Sequence, residues 1–355
     1  VAVRGYKTDG HKYIEKAVEN GASAVIAEEK PVCPVPWARV ENSRRALASA
    51  SAAFYGHPEK RLKIVGVTGT NGKTTVTNLI KTVLESCGEK CGLIGTNGNM
   101  IGSRMLYTER TTPESKDLYA LLKEMADDGC TYAVMEVSSH SLALDRVWGL
   151  EFESAVFTNL TQDHLDFHAT MDDYARAKSI LFDRCRKAVV NSDDAYCGVM
   201  LERCRRSKVT YSAKDPGADA FANDIELGQQ GVSFNLVFAG GNFPVYLGIP
   251  GMFSVYNALA ALGCCISLGI DPDDVVSALK SAHGVKGRAQ VVPVNADYTV
   301  MLDYAHTPDG VENILKAARG FSRGRVVALF GCGGDRDKTK RPIMGKAAGS
   351  LADFC

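Results

Sequence analysis

The sequence has no apolar run long enough to cross a bilayer. Its longest apolar stretch, around Ala258 to Ile270, is interrupted by Gly263 and Ser267 and falls short of the ~20 residues a spanning helix needs. It reads as a core helix, so membrane insertion is not expected. There is no surplus of charge either: 41 Lys+Arg stand against 41 Asp+Glu, for a formal charge of +0. Electrostatic capture of nucleic acid or of an anionic membrane surface is therefore excluded, and a small partner is implied. The 11 cysteines form no C-x-x-C pair, and neither Cys264-Cys265 nor the Cys87/Cys91 spacing matches a zinc pattern. They read as reduced thiols of a cytosolic protein. No repeat or low-complexity segment is present, and a composition 45% hydrophobic and 23% charged rules out a disordered, collagen-like or coiled-coil chain. The opening VAVRGYKTDG carries no initiator Met, charged n-region or apolar h-region, so it is not a secretory signal; it reads as a chain cut from something longer.

What is present is α/β patterning over 355 residues, enough for two or three domains. In residues 1–60, VAV reads as a strand, HKYIEKAVENG as a helix ending at Gly21, and ASAVIAEE as a strand and turn. From Leu62, a strand, a Gly-rich loop and a helix are followed by the apolar runs CGLIG, TYAVMEVSS, SAVFTNL and KAVVNS with helical segments between them. This alternation predicts a largely parallel sheet covered by helices on both faces. Residues 208–249 alternate in period two around Gly-Gly turns and suggest an antiparallel β insertion. Helices are expected over 255–268 and 271–282. A fresh α/β register begins after Gly287 with AQVVPV, YTVMLDYA, PDGVENILKAARG and RVVALFG.

The segment Gly66-Val67-Thr68-Gly69-Thr70-Asn71-Gly72-Lys73-Thr74-Thr75 lies between a β-branched strand and an amphipathic helix, the setting a phosphate-binding P-loop requires. Glycines let the backbone wrap phosphate oxygens, Lys73 would meet the β/γ-phosphates, and Thr74 or Thr75 would face Mg²⁺. The pattern departs in one place, since Val67 stands six residues before the lysine where glycine is usual. The loop by itself does not decide ATP over GTP.

Further candidates sit at strand ends, where open α/β sheets bind ligands. Glu136 ends the strand 132–137 just before Ser138-Ser139-His140, and a second polar cluster, Thr161-Gln162-Asp163-His164-Leu165-Asp166, follows the next strand. From spacing alone His164 serves equally as a loop hydrogen-bonder or a ligand. Lys178, in YARAKSILF, shares a helical face with Tyr174 and Leu181 and reads as a surface lysine laid along its stem. Asp303 and His306 fall at a strand-to-helix edge with Pro308 early in the helix. The run Gly331 to Arg341 combines backbone donors with a guanidinium suited to carboxylates and reads as an anion-binding loop.

Taken together these motifs resemble the Mur ligases, ATP-dependent amide-forming enzymes of peptidoglycan precursor synthesis. The resemblance runs along nearly the whole chain, with GYKTDGHKYI, GVTGTNGKTT, TTPES, MEVSSHSLALDRV, FTNLTQDHLDFH, YARAKSILF, GMFSVYNALAA, LDYAHTPD and FGCGGDRDKTKRP in the family's order. TTPES with VSSH and GDRDK points to the member that adds the third amino acid. The resemblance implies three domains: a partial UDP-substrate domain at 1–60, an ATP-binding domain at 61–287 and a partial Rossmann-like amino-acid domain at 288–355. It implies that Gly69, Thr70, Asn71, Gly72, Lys73, Thr74 and Thr75 bind ATP phosphates, with Asn257, Arg288 and Asp303 on the rest of the nucleotide. Glu136 and His164, with Thr74, would hold Mg²⁺, and Lys178 would be carbamylated and hold a second ion, against the surface role that spacing suggests. Thr111, Thr112, Ser138 and Arg146 would meet the muramoyl-dipeptide, Tyr6, Lys7 and Thr8 the uridine nucleotide, and Arg336 the carboxylate of the incoming amino acid. A glutamine frequent in the family two residues before Arg146 is Leu144 here.

The implied chemistry is phosphorylation of the D-Glu γ-carboxylate of UDP-N-acetylmuramoyl-L-Ala-D-Glu to an acyl phosphate, then attack by the amine of meso-diaminopimelate, or alternatively of L-lysine, in a monomeric cytosolic enzyme. A folylpolyglutamate synthase-like ligase shares the P-loop, but TTPES and VSSHSLALDR speak against it. A switch ATPase would need no third, amide-forming domain.

Overall fold

The computed structural model describes residues 1–5, 8–282, 284–333 and 338–355. The first unit holds α1 (Ile14–Glu19), β1 (Val25–Ala27), β2 (Trp37–Arg39) and α2 (Ser43–Phe54). The pair β1–β2 is parallel. The expected VAV strand does not form: Ala2 donates one backbone bond to Ile26, and Arg4 makes only an isolated bridge to Asp9. With no neighbouring ladder to satisfy its backbone, three residues of β-branched character are not enough to make a strand.

The large central unit comprises β3 (Lys63–Thr68), α3 (Lys73–Ser86), β4 (Cys91–Gly95), β5 (Gly98–Ile101), β6 (Arg104–Leu106), α4 (Ser115–Asp127), β7 (Tyr132–Glu136), α5 (Ser139–Ala143) and β8 (Phe152–Phe157). It continues through α6 (Met171–Ser179), β9 (Cys185–Asn191), α7 (Cys197–Arg203), β10 (Ser207–Ser212), β11 (Ala220–Leu227), β12 (Val232–Phe238), β13 (Gly241–Leu247), α8 (Met252–Ser267) and α9 (Pro272–Lys280). All its strands join one 11-stranded sheet in the order β13-β12-β11-β10-β9-β8-β3-β7-β4-β5-β6. The centre is parallel, and every residue of β3 after Lys63 is buried, as expected for a strand covered on both faces. The segment 208–249 is not set apart from this sheet as an insertion with its own pairing. Its first strand, β10, runs parallel to β9, and antiparallel pairing is confined to β11–β12 and β12–β13. Period-two alternation reports one wet face, which an outer strand of the parallel sheet has as well.

Helix α8 forms as the apolar run predicts and is buried along most of its length, with α3 and the sheet against it in one core cluster. Among the described residues no helix is long and apolar enough to cross a membrane. All 11 cysteines are free thiols.

The third unit has a two-stranded antiparallel pair, β14 (Gln290–Val292) with β15 (Val300–Leu302), then α10 (Pro308–Phe321) and α11 (Lys340–Leu351). Thr307 caps α10 by accepting from Gly310 N at 3.0 Å, with Pro308 in the first turn as expected. RVVALFG does not become a strand: Val327 makes a single parallel bridge to Phe354, and Leu329 is fully exposed. No neighbouring strand lies beside it among the described residues, and its backbone groups gain nothing from extension alone. The central core is the energetic anchor. Leu259→Ala, in the buried middle of α8, is expected to lower stability by about 2–5 kcal/mol, read as a lower urea midpoint at unchanged slope.

Candidate active site

Parallel register brings the site together. Val67 lies opposite Glu136 on β7, and Thr68 lies opposite Phe157 on β8, so three strands end level beside the P-loop. Beyond β3 the chain turns through Gly69 (φ +149°) and Gly72 (φ +87°) and enters α3 at Lys73. Both glycines are obligatory on steric grounds: a Cβ would stand 1.9 Å from Thr158 Oγ1 at position 69 and 2.5 Å from Asn257 Oδ1 at position 72. The loop is further held by Asn71 N donating to Asn159 Oδ1 at 2.9 Å and Thr158 Oγ1 donating to Asn71 O at 2.6 Å. The unusual Val67 is buried in the strand, where its side chain packs in the core.

Two lysines converge on this loop. Lys73 Nζ donates to Gly69 O at 2.9 Å and Thr70 O at 2.8 Å, and Lys178 Nζ, reaching in from α6, donates to the same Gly69 O at 2.8 Å. Lys178 is 1% exposed, which corrects the surface role that spacing suggests. Its ring neighbour Tyr174, one helical turn earlier, lies 4.5 Å from Nζ. Burial, and then the charge of Lys73, push the Lys178 amine well below its ordinary pKa, and burial also lowers Lys73. Burial of this kind favours the uncharged form of an amine.

Glu136 is 1% exposed and accepts from Thr96 N at 2.8 Å and Thr96 Oγ1 at 3.0 Å. Gly95 makes room for it, since a Cβ there would stand 2.5 Å from Glu136 Oε1. Both donors are neutral, and no ion pair to Glu136 is found among the described residues. A buried carboxylate facing the P-loop in this way suits a hard cation. Thr74 lies on the same cavity and accepts from Arg288 at 3.1 Å. No group of three or more His, Cys, Asp or Glu that could hold a metal forms among the described residues. The Glu136 carboxylate and the Thr74 hydroxyl that line this cavity are hard oxygen donors of the kind Mg²⁺ accepts beside phosphate and water.

His164 adopts φ +55° and is half-buried. Burial drives its pKa down to about 3 despite Asp163, so a ring nitrogen lone pair is free at neutral pH. It stands edge-on to His140 at 4.8 Å between ring centres, and His140, Phe167, His168 and Tyr174 continue the cluster toward α6. Asp163, which the sequence reading places in this polar cluster without a role of its own, is its charged neighbour. Its carboxylate, 4% exposed, stands 3.3 Å from His164 Nε2, 3.7 Å from His306 Nε2 and 3.4 Å from Lys340 Nζ. Burial opposes its ionisation, but the His306 hydrogen bond and the charges of His164 and Lys340 hold its pKa well below the usual carboxylate range.

Three cavities meet here. One of about 350 Å³ is lined by Thr70 to Thr75, Thr111, Glu136, Ser138, Asp163, His164, Arg288 and His306. A second, of about 320 Å³, gathers Asn257, Arg288, Asp303, Tyr304 and Asp309. A third, of about 570 Å³, runs from Thr74 and Glu136 along α3 to Val285 and Lys286. Asn71 Nδ2 donates to Asp309 at 2.7 Å, and Asp303 accepts from Ala289 N at 2.7 Å. Thr112 is buried, donates to Glu136 O at 2.9 Å and accepts from Ser138 N at 3.1 Å, and Arg146 donates to Thr112 O at 3.3 Å. Thr8 is exposed in a turn of the first unit, bonded through its carbonyl to Gly5 N, and no contact joins it to this cluster. Tyr6, Lys7 and Arg336 lie outside the described residues.

The Mur ligase middle domain family matches residues 67–265, the Mur ligase glutamate ligase domain residues 287–355, and the Mur ligase family catalytic domain residues 1–55. The chain belongs to the Mur ligase family. It is 46% identical to the UDP-N-acetylmuramoyl-L-alanyl-D-glutamate--2,6-diaminopimelate ligase of Clostridium botulinum, over 100% of this chain and 74% of that protein. The enzyme of the same name from Caldanaerobacter subterraneus is 47% identical over 100% of this chain and 74% of its own length. A solved structure of a ligase so named shares 34% identity, with a TM-score of 0.81, over 99% of this chain and 74% of that one. A folylpolyglutamate synthase from Mycobacterium tuberculosis, 18% identical at a TM-score of 0.73 over 87% of this chain and 77% of that one, shares the fold.

The imidazole cluster makes a pH prediction. His168 is buried and its pKa falls from the ordinary 6.5 to about 4, first through burial. The unfolded chain therefore binds a proton there before the folded one does, and stability that is full above about 6.5 is lost as pH falls toward 4. Replacing His168→Phe should flatten the slope of unfolding free energy against pH in that window; a slope equal to wild type would show that the ring does not stay neutral in the fold.

Proposed function

We propose that the chain is an ATP-dependent ligase that adds meso-diaminopimelate to the D-Glu γ-carboxylate of UDP-N-acetylmuramoyl-L-Ala-D-Glu in peptidoglycan precursor synthesis. The observation that carries this reading is the P-loop placed level with a buried, cation-free carboxylate, in a chain 46% identical to a 2,6-diaminopimelate ligase along its whole length. The units divide as 1–60 for the UDP substrate, 61–287 for ATP and 288–355 for the amino acid.

In this reading Gly69 to Thr75 wrap the ATP phosphates through backbone N–H groups and the first turn of α3. Lys73 exchanges its two carbonyl partners for the β- and γ-phosphates. Asn257, Arg288 and Asp303, which line the 320 Å³ cavity, hold the nucleoside end, and Arg288 also reaches the phosphates beside Thr74. Thr74, Glu136 and His164 are the residues that would hold Mg²⁺, whose bound charge offsets that of the transferring phosphoryl group. Thr111, Thr112, Ser138 and Arg146 position the acceptor, with Tyr6, Lys7 and Thr8 on its uridine end and Arg336 on the carboxylate of the amino acid.

Lys178 is taken to be carbamylated: its ammonium loses one proton, and the free amine attacks CO₂, forming an N–C bond and releasing a second proton, so an anion replaces a cation. Two observations support this. Burial pushes the pKa of its amine down, and it shares the Gly69 carbonyl with Lys73, whose charge a carbamate would balance. Gly69 O then need serve only one ammonium. A carbamate oxygen is also a fit ligand for a second Mg²⁺.

The chain's part in the reaction is to align the acceptor carboxylate with the γ-phosphate, to hold the acyl phosphate away from water, and to admit an amine as the third unit closes over the site. Asp163, His306 and Lys340 already join the third unit to the edge of the P-loop.

Phosphate release with MgATP and the muramoyl-dipeptide nucleotide, compared across meso-diaminopimelate, L-lysine and no amine, tests the reading. Release is expected only with diaminopimelate. Release with lysine alone would keep the reaction and overturn its amino acid, and release indifferent to amine would favour a switch ATPase.

A further inference from the structure

The largest of the three cavities has no task in the reaction as derived above. Its 570 Å³ and the 350 Å³ of the acceptor cavity meet at the same two residues, Thr74 and Glu136, so the position of phosphoryl transfer is approached from two sides. The deep end is closed in, with Thr74, Leu79, Leu93, Gly95 and Glu136 all buried. Farther out Thr82 and Met100 are half-buried, and Asn97, Gly284 and Lys286 are exposed. The space therefore runs from the first turn of α3, along that helix, to the surface.

Two segments make its mouth. One is the tight turn between β4 and β5, where Asn97 precedes Gly98 (φ +127°). The other is the stretch 284–287, which leads from α9 into the third unit and turns at Gly287 (φ +71°). Asn97 Nδ2 ties them by donating to Lys286 O at 2.9 Å. Charge is arranged lengthwise, with the Glu136 carboxylate at the deep end, the Lys286 ammonium at the mouth, and Leu79, Leu93 and Met100 on the wall between them. Such a gradient draws an anion outward, and an apolar wall offers water few partners along the way.

We propose that this cavity is the exit for inorganic phosphate, with Lys286 drawing the anion to its mouth. The inference rests on the ligase reading above. When the amine attacks the acyl phosphate, a C–N bond forms, the bond from the carbonyl carbon to the phosphate oxygen breaks, and the amine proton leaves with the phosphate. That phosphate starts beside Thr74 and Glu136. ADP fills the P-loop and the 320 Å³ cavity, and the new amide fills the 350 Å³ one. The 570 Å³ cavity is the space at that position which neither product occupies, so phosphate leaves while both are still bound.

Rapid mixing of the full chain with MgATP, the muramoyl-dipeptide nucleotide and diaminopimelate tests this with three readings: ADP and amide in acid-quenched samples, free phosphate by a fluorescent phosphate-binding reporter, and departure of ADP formed from a fluorescent ATP analogue. In wild type, free phosphate should appear before ADP departs. Lys286→Glu, which reverses the charge at the exposed mouth, should leave amide formation within about two-fold and slow the appearance of free phosphate about ten-fold, the lower end of what charge steering contributes. Thr82→Trp, which narrows the middle of the cavity, should slow it at least as much, and Lys286→Arg should behave as wild type. Should Thr82→Trp fail to fold, the surface change Lys286→Glu decides alone. Free phosphate keeping pace with amide formation in either folded variant would overturn the inference. Equal slowing of ADP departure would also overturn it, by placing the effect on the opening of the third unit, and slowing of amide formation itself would make the cavity an entrance for the amine. The lag is read between quenched ADP and free phosphate whatever the acceptor, so failure of the ligase reading shows as amine-independent turnover and failure of the exit as the absence of a lag.

Discussion

The carbonyl oxygen of Gly69 accepts two ammonium groups, from Lys73 and Lys178, in a part of the molecule with little water. Two like charges on one backbone acceptor are costly, and the cost rises as the dielectric falls. Burial and the charge of Lys73 push the Lys178 pKa down, which favours loss of its proton and relieves that cost. The surroundings of the pair hold two phosphate-directed amines at a strand end. The glycines at 69 and 72 let the backbone turn under them, Thr158 and Asn159 hold the loop from the neighbouring strand, and Glu136 supplies one buried negative charge nearby.

Around this centre the three units are joined by polar contacts and by apolar packing, in which Ala48 and Ala52 of α2 enter one core of the central sheet and Ala289, Met301 and Ile314 of the third unit meet the other. The first unit and the third each have a small apolar cluster of their own, while the extensive cores belong to the central sheet. The polar contacts that cross include Asn71 to Asp309, Arg288 to Thr74, Asp163 to His306 and Lys340, Arg44 to Glu114, and Asn42 and Arg45 to Asp145. Junctions of this kind permit relative motion of domains. Three of them, through Asn71, Thr74 and Asp163, end on residues of the P-loop or its cavity.

Much of this was legible in the sequence because it depends on local pattern. The P-loop announces itself by strand, glycines, lysine and helix in a row, and the ends of β7 and β8 place Glu136 and the Asp163–His164 loop beside it by the rules of parallel sheets. Long-range burial was not legible. The spacing of Lys178 with Tyr174 is the same whether that helical face meets water or the P-loop, and only the resemblance to a family argued for the interior. Asp163 carried no role of its own in the sequence because its partners His306 and Lys340 lie far along the chain. RVVALFG has the composition of a strand but no neighbouring ladder among the described residues, and the strands of 208–249 carry an alternation that does not distinguish a separate sheet from the flank of a large one.

The claim on which the account turns is that the acceptor carboxylate is itself phosphorylated. An acceptor carrying labelled oxygen in its γ-carboxylate, turned over with unlabelled ATP and diaminopimelate, tests it by mass spectrometry of the released phosphate. Transfer to an acyl phosphate followed by amine attack leaves one carboxylate oxygen on phosphorus, so the account predicts one labelled oxygen in each phosphate from a fully labelled acceptor. Phosphate released without label, while the amide still forms, would contradict it.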